Sequence, residues 1–219
     1  GLVSQLGPTA AVTKIRKYSL DLYKKLEKEV DHSAGLRING ALSIAQTDAR
    51  WQELKRQATT AQLYDVDFRI LDKDEIKKNY PMMYTNDLKG GVLMPGDGAA
   101  DPSGVTHMLA KAARLGGAKI FEQSPVETIL IKNGSVSGVR VNGQNIECEY
   151  VVLATGMWSR QIGEKIGVSI PLYPAEHFYI ITESVDNLSP TLPVIRDFDS
   201  STYIKEDAGK LLIGIFEGK

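Results

Sequence analysis

The chain has 219 residues, of which 42% are hydrophobic, enough to bury a substantial core in one or two domains. Its 26 basic and 27 acidic side chains give a formal net charge of −1 and are intermixed, so we expect no nucleic-acid partner. No apolar run approaches the ~18 residues of a transmembrane helix, so we expect no membrane partner either.

The first third of the chain predicts helices separated by one strand. Apolar residues recur every three or four positions over residues 10–30, as in an amphipathic helix. Residues 36–45 show an alternating pattern, which predicts a strand with one face in water. Thr47 or Asp48 is then a suitable N-cap for a second helix, and Asp72 for a short third helix.

The middle of the chain predicts a strand, a loop and a further helix. Residues 90–95 have a strand pattern, and the loop G-D-G-A-A-D-P-S-G that follows leads into a helix over about residues 103–115. Asp97 and Asp101 lie in this loop and are interpreted as turn residues.

The most informative stretch is E-Y-V-V-L-A-T-G-M-W-S-R, residues 149–160, which follows a strand pattern at 118–122 and a hairpin pattern over 127–141. It predicts a buried strand that ends at Ala154-Thr155-Gly156 and turns into a helix. Such small residues let a ligand approach the backbone closely, as in flavin- and nicotinamide-binding folds. No G-x-G-x-x-G motif occurs in the chain, so we expect the chain to be the later part of a larger protein.

From residue 171 onward, strand patterns follow one another without helices between them. With the two earlier strands they predict a mostly antiparallel sheet. The predicted fold class is α/β plus α+β, with a partial FAD/NAD(P)-binding Rossmann-like lobe and a helix-covered, mostly antiparallel substrate-binding sheet. The first lobe is assigned to residues 1–34 and 100–170, and the second to residues 35–99 and 171–219.

Seven stretches, taken in order, resemble the flavin-dependent amine oxidoreductases of the D-amino-acid oxidase superfamily. The resemblance covers essentially the whole chain and is strongest to sarcosine dehydrogenase, followed by dimethylglycine dehydrogenase. The stretches are G-L-V-S-Q-L; L-R-I-N-G-A-L-S-I-A; Y-P-M-M with L-K-G-G-V-L-M-P-G-D-G-A-A-D-P-S-G; S-P-V-E-T-I; V-V-L-A-T-G-M-W-S-R-Q-I-G; P-L-Y-P-A-E-H-F-Y-I-I-T; and P-V-I-R-D-F-D-S-S-T-Y-I-K-E.

This resemblance implies FAD as the cofactor, attached covalently through a histidine upstream of Gly1. It also implies that the glycine-rich loop lies further upstream, and that a closing FAD-binding segment and a folate-binding domain lie downstream of Lys219. We therefore expect the chain to be an internal fragment of about a quarter of such a protein, inactive by itself. Folate and an electron-transfer protein are the partners expected of the full-length enzyme.

The resemblance assigns five cofactor contacts. Val126 matches a position whose backbone meets the adenine of FAD, Ala154, Thr155 and Gly156 match a second dinucleotide contact, and Trp158 matches a residue that lines the flavin. The residues alone leave a structural alternative for each. Val126 is then an ordinary apolar residue at a β-corner, Ala154-Thr155-Gly156 is a corner whose small residues serve only packing, and Trp158 is a core aromatic.

Two residues are assigned to catalysis. His177 matches a histidine near the flavin and the substrate amine, where an imidazole accepts or holds the proton of a secondary ammonium. Tyr203 matches an active-site tyrosine, and Arg196, which the resemblance does not assign, is a candidate ligand for a substrate carboxylate. A structural histidine and a packed strand tyrosine are the alternatives.

The implied reaction is the oxidative demethylation of a small N-methyl amino acid, most of all sarcosine, to glycine. Dimethylglycine or another amine remains open as the substrate, and so does a non-catalytic regulatory subunit with the same fold. The single cysteine, Cys148, excludes an internal disulfide and a cysteine-built metal site, and we predict no metal. A reducing compartment is expected, the cytoplasm of a bacterium or the mitochondrial matrix of a eukaryote.

Overall fold

A computed structural model describes residues 1–216; the last three residues, including Glu217 of the final predicted strand, lie outside the described part. The helices are α1 (Ala10–Glu29), α2 (Asp48–Gln62), α3 (Lys73–Asn79), α4 (Pro102–Leu115) and α5 (Ser159–Glu164). The strands are β1 (Leu2–Val3), β2 (Ala41–Ala45), β3 (Arg69–Leu71), β4 (Gly90–Met94), β5 (Gly98–Ala99), β6 (Val126–Lys132), β7 (Ser135–Val141), β8 (Gln144–Glu147), β9 (Phe178–Ile181), β10 (Val194–Asp197), β11 (Thr202–Asp207) and β12 (Lys210–Ile215).

The chain divides into two compact units, which are described separately. The first comprises Gly1–Ala118 together with the segment from His177 onward, and the second comprises Lys119–Glu176. The assignment of one lobe to the cofactor and the other to the substrate stays a prediction from the sequence. No helix within residues 1–216 combines the length and the hydropathy of a membrane span.

The first unit is built on a seven-stranded sheet in the order β3-β4-β2-β10-β11-β12-β9. Five of its six neighbouring pairs are antiparallel, and only β2 and β10 run parallel. The prediction of a mostly antiparallel sheet that incorporates the early strands is therefore confirmed. A separate two-stranded ladder pairs β1 with β5.

Strand β2 is an interior strand of the sheet, between β4 and β10, and is buried on both faces. Leu42 packs with Ile195 in one apolar cluster, whereas Ala45 packs with Leu54 of α2 in another. The prediction that one face of this strand lies in water is wrong, because helices cover both faces of the sheet here. The alternating sequence pattern does not reveal this second covering layer.

The predicted helix starts are confirmed at the level of hydrogen bonds. Thr47 accepts a bond from the Arg50 amide, and Asp72 forms a reciprocal capping box with Glu75. Asp101, interpreted as a turn residue, accepts from two amides at the start of α4. Short polar side chains therefore determine where these helices begin.

The second unit opens with a three-stranded antiparallel meander, β6-β7-β8. Its first turn has positive φ at both Asn133 (53°) and Gly134 (77°), as an Asn-Gly hairpin turn requires. The predicted hairpin is confirmed.

The strands predicted at 118–122 and 149–154 are wrong, since neither segment pairs with another strand among residues 1–216. Tyr150 and Val152 are 85% and 88% exposed, so the second segment is not a buried strand. A strand of a parallel sheet exists only beside its neighbours, and the described residues supply none here. The turn into helix is confirmed, because a 3-10 turn over Gly156–Trp158 leads directly into α5.

The loop after β10 is joined to the start of α2 by one carboxylate. Asp199 accepts hydrogen bonds from the Gln46 amide at 3.0 Å and from Arg50 Nε at 3.3 Å. Partial burial opposes ionisation of Asp199, but these donors and the Thr47 amide outweigh it and lower the pKa of the carboxyl.

We expect Asp199→Asn to lower the free energy of unfolding by about 1 kcal/mol at neutral pH, because it removes the charge that these donors bind. A carboxyl whose pKa is lower in the folded state stabilises the fold above its ordinary pKa of about 3.9 and loses this effect as the pH falls through the folded-state value. Denaturation curves from pH 7 to pH 3 should therefore converge for the two proteins at acid pH. Asp186→Asn, on an exposed loop, is the matched control; a difference independent of pH would contradict the assignment.

Candidate active site and cofactor contacts

One row of residues crosses four strands of the large sheet. Arg196 on β10 pairs with Tyr203 on β11, Tyr203 pairs with Gly214 on β12, and Gly214 pairs with Tyr179 on β9. Directly opposed residues of antiparallel strands project from the same side of a sheet. We call the side that carries Arg196, Tyr203 and Tyr179 the site face.

The two predicted catalytic residues meet on the site face. His177 Nε2 lies 3.3 Å from the Tyr203 hydroxyl, within hydrogen-bonding distance, and the two rings are stacked with centroids 5.9 Å apart. Phe216 stacks on His177 with a centroid distance of 4.6 Å. His177 is exposed and Tyr203 is half-buried, so a small molecule can reach both, and their catalytic role stays a prediction.

Gly214 determines where the Tyr203 ring lies. A Cβ atom added to Gly214 would overlap Cε1, Cζ and the hydroxyl of Tyr203. The phenol therefore lies directly over the β12 backbone, an arrangement that only glycine permits here. The sequence analysis missed this residue, although an isolated glycine inside the strand pattern L-L-I-G-I-F signals a close approach.

A buried ion pair lies beside this row. Asp97, between β4 and β5, is fully buried, and its Oδ1 accepts the Gln5 amide at 2.9 Å. Its Oδ2 has no hydrogen bond and lies 3.8 Å from Arg196 Nη1. Burial raises the pKa of the Asp97 carboxyl and lowers that of the Arg196 guanidinium, against the attraction between them.

The interpretation of Asp97 as a turn residue was incomplete. It does follow β4 in a tight turn, where its amide donates to the Met94 carbonyl at 3.2 Å. Its carboxylate, however, is enclosed between the N-terminal segment and β10 by contacts far apart in the chain. No local pattern in G-D-G indicates this.

The predicted cofactor contacts all belong to the second unit. Val126 is the first residue of β6, and Ala154 and Gly156 lie at an exposed corner before the 3-10 turn. Gly156 has a φ of 54°, and a Cβ placed on it would meet nothing within 4 Å. The corner is therefore small and open, as close approach of a dinucleotide requires.

Two further side chains complete this corner. The Thr155 hydroxyl lies 2.9 Å from the Ser159 hydroxyl, which fixes the turn into α5, and Trp158 is 60% exposed. An aromatic ring that is not part of a core is free to contact a ligand. These residues fit a bound FAD, and the individual contacts stay predictions.

Among the described residues, no group of three or more His, Cys, Asp or Glu side chains is arranged to hold a metal ion. Cys148 is a half-buried free thiol in the second unit.

Comparison with known proteins gives the family. The model of the family described as DAO, FAD dependent oxidoreductase, matches residues 1–219. The 4-methylaminobutanoate oxidase (formaldehyde-forming) of Paenarthrobacter nicotinovorans is 36% identical over 99% of the chain, and mitochondrial sarcosine dehydrogenase of Homo sapiens is 32% identical over 99%. The mitochondrial pyruvate dehydrogenase phosphatase regulatory subunit of Mus musculus is 33% identical over 99%. The chain spans 26%, 24% and 25% of these proteins, respectively.

A solved structure shows the same fold. L-proline dehydrogenase from P. horikoshii superposes with a TM-score of 0.90 and 26% identity over 99% of this chain and 59% of its own. The mixed α/β architecture is thus shared with this dehydrogenase. With a family model that matches every residue, the chain belongs to the FAD-dependent oxidoreductase family of the D-amino-acid oxidase type, as the resemblance implied.

Proposed function

We propose that the protein containing this chain uses FAD to oxidise the CH–NH group of a small N-methyl amino acid, with sarcosine as the preferred substrate. The observation that carries the proposal is the His177–Tyr203 pair, which presents a proton acceptor and a hydroxyl on an accessible sheet face. Family membership supports the redox class, and the names of two relatives support N-methyl amino acids as the substrate class.

His177 is the group that takes up a proton. An N-methyl amino acid carries a secondary ammonium at neutral pH and must lose a proton before its nitrogen lone pair can assist oxidation. A neutral imidazole is a suitable acceptor, because one of its ring nitrogens carries a free lone pair. Tyr203 and Phe216 hold the ring of His177 from two directions, so this chain orients the acceptor before the substrate binds.

FAD, when bound, supplies the two-electron oxidation of the N-methyl carbon. In the second unit, the open Ala154-Thr155-Gly156 corner and Trp158 would hold part of it. The substrate gives up two electrons and two protons to form an imine, and water hydrolyses the imine to formaldehyde and glycine. The reaction therefore consumes one water, and FAD takes up the two electrons.

We propose three further features of the whole protein. They are covalent attachment of FAD through a histidine upstream of Gly1, a folate-binding partner domain, and reoxidation by an electron-transfer protein. The proposed location is the cytoplasm of a bacterium or the mitochondrial matrix of a eukaryote, which the mitochondrial relatives support for the second case.

Two alternatives have support of their own. A relative that acts on 4-methylaminobutanoate favours a longer N-methyl amino acid, and dimethylglycine or another amine belongs to the same class of substrate. A relative named as a regulatory subunit favours a protein that keeps the fold without turnover. The His177–Tyr203 pair argues for catalysis, because a purely regulatory surface does not require it.

The full-length protein should purify with a flavin absorbance spectrum, and sarcosine should bleach that spectrum without oxygen and release one formaldehyde per flavin reduced. A panel of sarcosine, dimethylglycine and 4-methylaminobutanoate ranks the substrates by kcat/KM. The isolated 219-residue chain is expected to be colourless and inactive. A full-length protein that none of these amines reduces would favour the regulatory alternative.

His177→Gln should lower kcat/KM for the preferred substrate about 100-fold near pH 7, since the amide can still contact Tyr203 but cannot accept the proton. The loss should shrink as the pH rises and the free amine becomes more abundant, so pH–rate profiles from pH 6 to pH 10 are the measurement. His107→Gln, on an exposed position of α4, is the control. Equal loss at every pH would mean that His177 only supports the structure.

Gly214→Ala should displace the Tyr203 ring and reduce kcat/KM to roughly the level of Tyr203→Phe, about 10-fold below the natural protein. Its Cβ would occupy the space of the phenol, whereas Gly116→Ala at the end of α4 meets only two carbonyl oxygens at 3.4 Å or more. Steady-state kinetics and a crystal structure of the variant check this. Full activity with an undisturbed Tyr203 would show that β12 adapts instead.

A further inference from the structure

We propose that Arg196 binds the carboxylate of the substrate on the site face, and that the buried Asp97 holds its guanidinium in place. This rests on the proposed function, because it assigns one end of an amino-acid substrate whose amine lies at His177. It adds a specificity-determining residue that the family resemblance does not supply.

Position is the first argument. Arg196 is paired directly with Tyr203 across β10 and β11, and directly opposed residues have Cβ atoms about 4.5–5.5 Å apart. Tyr203 in turn contacts His177 at 3.3 Å. In sarcosine a single carbon separates the nitrogen from the carboxylate, so the cation and the proton acceptor must lie near one another, and Tyr203 is the residue that both adjoin.

Unused hydrogen-bonding capacity is the second argument. The Arg196 side chain is 19% exposed, and its guanidinium donates no hydrogen bond to any acceptor among residues 1–216. Its one ion pair, to Asp97 Oδ2, spans 3.8 Å and is too long for a hydrogen bond. The five planar N–H donors of the guanidinium are therefore unused, and a carboxylate matches their geometry in a bidentate manner.

Charge is the third argument. Arg16 lies near enough to act electrostatically on both Asp97 and Arg196. Two guanidinium groups therefore act on one buried carboxylate. A substrate carboxylate would bring a second negative charge to this pair of cations.

The contacts of Asp97 explain how the arginine stays available. The Gln5 amide occupies Oδ1, so only Oδ2 faces Arg196. A loose pair of this kind restrains the long side chain by attraction but leaves its N–H groups free. A tight bidentate pair would have used the same donors that a substrate needs.

The test uses the full-length flavin-loaded protein and two substrates of similar size. Sarcosine carries the carboxylate, and N-methylethylamine replaces it by a methyl group. Arg196→Gln should raise KM for sarcosine about 10- to 100-fold and leave KM for N-methylethylamine within about twofold. Arg196→Lys should recover part of the loss, since it keeps the charge without the planar fork. Arg69→Gln, on the exposed edge strand β3, is the matched control and should behave as the natural protein.

A binding measurement separates this proposal from the proposed function. Acetate should raise the melting temperature of the natural protein and inhibit sarcosine competitively, and Arg196→Gln should abolish both effects. Equal losses for the two substrates, or unchanged stabilisation by acetate, would mean that Arg196 only neutralises Asp97. If no N-methyl amino acid is oxidised, the proposed function fails, whereas loss of acetate binding in the variant would still identify the anion site. Should Arg196→Gln not fold, the same comparisons on Arg196→Lys decide.

Discussion

The parallel ladder between β2 and β10 is the contact on which the first unit depends. It is the only pairing in the seven-stranded sheet that links strands from the first hundred residues to the strands after residue 177. Arg196 lies beside Ser43 in this ladder, so the register also sets which residues of the C-terminal strands approach the N-terminal segment. Asp199, bound to the start of α2, reinforces the same connection, and so does the ion pair of Arg37 with the buried Glu206. Loss of the ladder would separate Asp97 from Arg196.

On the site face, the register of the strands determines which functional groups lie side by side. Pairing places Arg196, Tyr203, Gly214 and Tyr179 in one row, and the missing side chain at Gly214 lets the phenol of Tyr203 lie flat across its neighbour. The phenol then reaches His177. A cation and a hydroxyl thus lie on the neighbouring strands β10 and β11, and the imidazole lies directly before β9, on the other side of β12. Rigid strands hold such groups more accurately than loops do.

The second unit supplies a different kind of surface. Its meander is a conventional hairpin structure, but the segment before Gly156 extends without strand partners and exposes apolar side chains. The small corner that follows retains the shape that dinucleotide folds use at their backbone contacts. Membership of the FAD-dependent oxidoreductase family and this corner are consistent with each other, although they come from independent observations. The name of one relative shows that the fold also occurs in a protein described as regulatory, so catalysis depends on particular residues and not on the fold.

Interactions between residues close together in the chain determine much of this structure, and the sequence alone reveals them. The caps at Thr47 and Asp72, the Asn133-Gly134 turn and the succession of C-terminal strands follow from hydrogen bonds within a few residues, and all are present. The resemblance to a known family singled out His177 and Tyr203, whose side chains lie 3.3 Å apart in the structure. Only the tertiary structure decided that Asp97 is buried against Arg196, that Gly214 lies beneath Tyr203, that β2 is covered on both faces and that residues 149–154 lack strand partners. Those features depend on which segments of the chain pack beside one another, such as Asp97 and Arg196, or on the absence of a neighbour, and a local pattern contains neither.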